Sequence, residues 1–173
     1  MSLGYEGVTE VQPAVSAIAP ELAGATMSDR TLRRVAGVLT VAVAGVHLYW
    51  ALPVLSLQLR VGMVHDPRPI AFILASFAII FGLLLAVQGF DRRPLYVGGM
   101  VLMVVFIVGY ASWHTVLEHG GFWPGRPAHG HDAPFHEVMI THLRADPVAL
   151  FSKLTELALL AVLGVLYAQE RDD

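Results

Sequence analysis

The sequence predicts an all-α fold: an integral membrane four-helix bundle with a short interfacial helix in its outer loop. Only 14% of the 173 residues are charged, 55% are apolar and the mean hydropathy is +0.62. A soluble domain carries about 25% charged residues. The apolar residues collect in four runs, each close to the roughly 20 residues that carry a helix across the hydrocarbon core. The second and third runs show no polar stripe at helical period, as a soluble bundle would require. In lipid the backbone has no water partner, so each run must close its own hydrogen bonds as a helix.

Taken in order, residues 1–29 read as a mobile N-terminal tail. Glu6, Glu10 and Glu21 are scattered among its apolar residues, and no Lys or Arg precedes Arg30. A signal peptide needs a basic start and a compact apolar core, which this tail lacks. Met27-Ser28-Asp29-Arg30 offers a second translation start, in which case translation does not begin before Met27. Residues 30–173 form a single four-span membrane domain, with spans at about 35–59, 70–90, 95–117 and 147–168. The first three runs carry no formal charge, and the fourth carries Lys153 and Glu156. Asp66-Pro67 and Asp146-Pro147 precede the second and fourth runs. Aspartate caps free amides, and proline is at home in a first helical turn. Arg30, Arg33, Arg34, Arg92, Arg93 and Arg171 fall on one side of the membrane, against Arg60, Arg68, Arg126 and Arg144 on the other. Positive residues favour the cytoplasm, so both termini are expected there, in a multi-pass protein of the cell membrane.

Small residues recur on the second span at Ala71, Ala75, Ala78, Gly82, Ala86 and Gly89, spaced to share one face. Small residues let helices approach closely in lipid, so this is a helix-packing face within the bundle or between copies. Ala44 and Ala51 flank His47 on the first span and turn it toward protein. Ionisable groups in the bilayer cost about 3 kcal/mol each and seek partners. His47, Lys153 and Glu156 therefore read as an intramembrane polar cluster, extended by Ser152 and Thr155. One reading is a site that handles a proton, an ion or a polar head group. The other is an interhelical lock from His47 to Glu156, with Lys153 snorkelling outward.

All the histidines except His47 fall in or beside the outer segments: His65, His114, His119, His129, His131, His136 and His142. The long outer loop is rich in Gly and Pro up to Asp132, and a short helix is expected from Pro134 to about Arg144. Imidazole and carboxylate ligands suit Zn or Cu(II), and His129, His131, His136, Asp132, Glu137 and His119 are the candidate ligands. They match no metalloenzyme motif. The same loop also reads as solvated histidines that respond to pH or meet lipid phosphates, or as half of a site shared with a partner. His47 and His114 sit at different depths, so a bis-histidine haem is not expected. Without cysteine, disulfides, thiolate zinc sites and iron–sulfur clusters are excluded.

Four segments resemble small four-span integral membrane proteins of unknown function from halophilic archaea. They are Ala44-Gly45-Val46-His47-Leu48, Ile70-Ala71-Phe72-Ile73-Leu74-Ala75, Asp91-Arg92-Arg93-Pro94-Leu95-Tyr96, and the stretch from Asp146-Pro147-Val148 to Thr155-Glu156. The likeness covers about two thirds of the chain. It implies the archaeal four-span architecture and carries no activity.

The net charge of −3 offers no basic field for nucleic acid. No P-loop, dinucleotide fingerprint, nucleophile elbow or metalloprotease motif occurs, so an enzyme is not expected. Three classes remain. The first is a non-enzymatic accessory or structural membrane component, with the lipid bilayer, further copies or a larger membrane complex as partners. The second is a small transporter or metal-handling protein, and the third a membrane haem or redox subunit.

Overall fold

The computed structural model describes residues 28–64, 66–122, 130 and 132–172. The chain is helical, with no strand among the described residues. The helices are α1 (Asp29–Arg60), α2 (Arg68–Val87), α3 (Arg92–His114), the short α4 (Phe135–Ala145) and α5 (Pro147–Asp172). A single 3-10 turn, Glu118–Gly120, follows α3. α1, α2, α3 and α5 are each long and apolar enough to cross a membrane. The tail 1–27 lies outside the described residues.

Local chemistry sets the ends. The Ser28 hydroxyl accepts the Thr31 amide, and Asp29 in the first turn pairs with Arg33 at 2.7 Å. The Asp66 carboxylate accepts the Arg68 amide at 3.0 Å at the start of α2. Gly89, at φ +85°, closes α2 earlier than the apolar run suggests, and the Phe90 amide returns to the Leu85 carbonyl at 3.1 Å. Asp91 caps α3 through the Arg93 amide. α3 stops at His114 rather than running to Leu117. Thr115 leaves the helical region, and the Leu117 amide bonds back to the Ser112 carbonyl at 2.8 Å. Asp146 caps α5 by accepting the amides of Val148 and Ala149 at 2.9 and 3.0 Å.

α1 packs mainly on α2 and α5, and α3 on α5, so the order around the bundle is α2–α1–α5–α3. α2 and α3 follow one another in sequence yet barely touch. Between them lies a cleft of about 440 Å³ lined by residues such as Ala78, Gly82, Ala86, Gly98 and Leu102. Val43, Ala44, Met103, Leu159 and Leu166 form the dry centre. α3 and α5 approach closely at Gly99, where a Cβ would stand 2.8 Å from Leu163 Cδ1. Large apolar side chains point outward: Val38 is 70% exposed, Phe81 62% and Val87 79%.

The two ends of the bundle differ. At one, the Glu170 carboxylate receives Arg33 at 3.7 Å, Arg92 at 3.9 Å and the Tyr96 hydroxyl at 3.5 Å, while Arg93 donates to the Glu170 carbonyl. That contact ties α1, α3 and α5. At the other, the Arg68 guanidinium bonds Asp66 at 2.6 Å and lies over the rings of Trp113 and Trp50, at 3.8 and 4.9 Å.

Candidate functional site

α5 supplies the polar centre because helical spacing puts Ser152, Lys153 and Glu156 on its inward side. Glu156 is fully buried. The Lys153 ammonium donates to both of its carboxylate oxygens, at 2.7 and 2.5 Å, and to the Phe106 carbonyl of α3 at 3.3 Å. The Ser152 hydroxyl donates to Glu156 Oε1 at 2.8 Å. Lys153 also lies 5.1 Å from the centre of the Tyr110 ring. It is thus turned into the bundle and bonded there, rather than snorkelling outward.

His47 enters from α1. Its Nδ1 donates to the Val43 carbonyl one turn back, at 2.8 Å, which fixes the ring. The ring stacks on Phe106 at 4.0 Å and meets the edge of Phe72 at 4.8 Å. Its Nε2 stands 3.5 Å from Glu156 Oε1, beyond the 2.7–2.9 Å typical of a charge-assisted bond. The three residues read from the sequence as one cluster do meet. The tight pair is Lys153–Glu156, and His47 is a neighbour held mostly by its own carbonyl and by aromatic packing. Ala44 and Ala51 are buried beside it, as their spacing implies. The Ser76 hydroxyl of α2 donates to the Ala44 carbonyl at 3.3 Å.

A second cluster lies at the Arg68–Trp113 end of the bundle. His114 closes α3, His119 sits in the 3-10 turn and His142 projects from α4. His114 Nδ1 is 3.0 Å from His119 Nε2, which is 3.3 Å from His142 Nε2. One ligand nitrogen from each ring lies within 4.8 Å of the others. His142 Nδ1 donates to the Val138 carbonyl at 2.8 Å, which fixes the ring with its Nε2 facing His119. Glu118 and His119 hold left-handed φ values of +45° and +57°.

Of the metal ligands expected from sequence, His119 is in this trio. Asp132, His136 and Glu137 are exposed on and before α4 and are not part of it, while His129 and His131 lie outside the described residues. His114 and His142 are the members that the ligand set missed. Their only sequence signal is composition, since nothing in the spacing shows that α4 folds back over the end of α3. The small-residue face divides too. Ala75 packs beside the core, Ala78, Gly82 and Ala86 line the cleft, and Ala71 and Gly89 are exposed. The residues of α2 buried in the bundle are Pro69, Ser76 and Ile79.

No protein-family model matches the chain, and no curated protein or solved structure shows detectable similarity to it.

Proposed function

We propose that the protein is a multi-pass membrane protein with a non-enzymatic role, an accessory or structural component whose helices are locked by the buried Lys153–Glu156 pair. The completeness of that pair carries the reading. Glu156 has no exposed surface, each of its oxygens accepts a hydrogen bond, and its cation is anchored to the neighbouring helix through Phe106. The cleft between α2 and α3 is lined without His47, Lys153 or Glu156. A group that moves an ion needs an approach and an exchangeable partner. A saturated, enclosed pair suits holding better than moving.

Residence in a bilayer is supported by the outward apolar faces, which a water-facing surface would not sustain at this extent. The arginines at the end shared by the start of α1 and the close of α5 favour cytoplasmic termini in the cell membrane. α4, with Val138 turned inward and Phe135 and Ile140 outward, suits the interface between lipid and water.

The test is Glu156→Gln in vesicles of reconstituted protein. The variant keeps the side chain's size and can still accept from Lys153, so it should fold. It strips the buried ammonium of its counter-charge, and should lose stability on the order of the 3–5 kcal/mol of a buried pair broken from one side. Neither protein should carry a proton or cation flux across the vesicle wall. A flux present in the parent and lost in Glu156→Gln would replace this reading with transport.

A further inference from the structure

The outer histidines carry an inference that does not rest on the buried lock. We propose that His114, His119 and His142 form a binding site for a divalent late transition metal ion, Zn(II) or Cu(II), at the outer end of the bundle.

The geometry comes first. Zinc holds imidazole nitrogen at about 2.0–2.1 Å, so two nitrogens on a tetrahedral ion stand about 3.3 Å apart. The 3.0 and 3.3 Å separations around His119 already have that spacing. Three separate segments deliver the three rings, so the convergence is a product of the fold rather than of local sequence. The chemistry agrees with it. Three inward nitrogens cannot all carry protons without donors facing donors, and three imidazolium charges at this range would repel. A single cation could be bonded by one nitrogen of each ring at once, without that clash. His142 has the outer arrangement seen around metal-bound imidazoles, with its far nitrogen donating to a backbone carbonyl, which fixes the tautomer and the ring.

The turn that presents His119 is built at a cost. Non-glycine residues at left-handed φ are uncommon, and two in succession persist only where surrounding packing dictates them. Here Gly120, at φ +86°, is pressed against the indole of Trp113, so close that a Cβ would stand 2.5 Å from Trp113 Cη2. Trp113 is covered in turn by Arg68, itself fixed by Asp66. Strain held at a point where three ligands meet marks a preorganised site. An all-imidazole set selects the later first-row ions over Mg(II) or Ca(II), which take oxygen.

The full-length protein, purified through a tag without histidine and stripped with a chelator, should be titrated with Co(II) as an optical stand-in and then with Zn(II) or Cu(II). One ion per chain is expected, with the tetrahedral Co(II) bands bleached by Zn(II). His142→Ala should weaken binding at least 100-fold, whereas His136→Ala should leave it unchanged. His119→Gly is the decisive variant. It removes a ligand and relieves the left-handed backbone, so the metal-free protein should melt no lower than the parent while metal no longer raises its melting temperature. The proposal is overturned if the parent takes up no stoichiometric metal. It is also overturned if His119→Gly and His142→Ala bind as tightly as the parent, or if only loss of His129 and His131 abolishes uptake.

Discussion

Lys153 shows how much one side chain can change its meaning once its neighbours are known. As a lone cation near a helix end it would stretch toward water. Bonded to Glu156 and to the Phe106 carbonyl, it instead neutralises a fully buried carboxylate, and that role is testable. Lys153→Met should leave Glu156 buried with its principal donor gone. Breaking a buried pair from one side costs about 3–5 kcal/mol in soluble proteins, and a loss of that order is expected in thermal unfolding. Adding Glu156→Gln to Lys153→Met should recover most of it, because a neutral amide strands no charge. If the double variant were as unstable as Lys153→Met alone, the pair would not be the source of the loss. The i, i+3 spacing puts this contact within reach on one helix, although the sequence also let Lys153 turn outward. The 3.5 Å stand-off of His47 was not legible, because it depends on how Phe72 and Phe106 crowd the ring.

At the scale of elements, the four long helices follow from apolar run length, and the Asp-Pro starts make the bonds that the residue types imply, Asp66 to the Arg68 amide and Asp146 to those of Val148 and Ala149. The ends were harder to read. The apolar run past His114 continues to Leu117, and only the turn chemistry at Glu118–Gly120 stops α3 short. That turn also decides which histidines meet, so the metal trio was not legible from ligand types and spacings. Gly120→Ala should be felt strongly. It adds a left-handed penalty of about 1–2 kcal/mol and a clash with Trp113 worth about 1–3 kcal/mol. A drop of roughly 2–5 kcal/mol in stability is expected, together with weaker metal uptake. A neutral outcome would mean that the turn is free to reshape and that His119 is not held in place.

On the scale of the whole molecule, helix order could not be read from sequence. Short connections suggest that neighbours in sequence pack together, yet α3 lies against α5 and α2 packs mainly on α1. The small-residue face of α2 was therefore recognised as an approach surface without its partner being identifiable. It borders an open cleft. The orientation of the bundle can be read directly because the chain contains no cysteine. A cysteine at Ala133 should react with a membrane-impermeant reagent in intact cells, and one placed after Glu170 should react only after the membrane is opened. The reverse pattern would invert the topology and place the histidine trio in the cytoplasm.

The Lys153–Glu156 contact lies within a single helix, and this bears on how the protein is made. On the proposed membrane reading, α3 would reach the bilayer before α5, and the Phe106 carbonyl that Lys153 meets in the finished bundle would supply no counter-charge to a bare ammonium during insertion. Because cation and anion stand one turn apart on the same segment, α5 can enter the translocon's lateral opening as a neutral dipole. It need dock against α1 and α3 only afterwards. Had the two charges been divided between helices, each would have crossed into lipid alone, at about 2.5–3.5 kcal/mol. Placing both on one helix would allow insertion and assembly to proceed as separate steps.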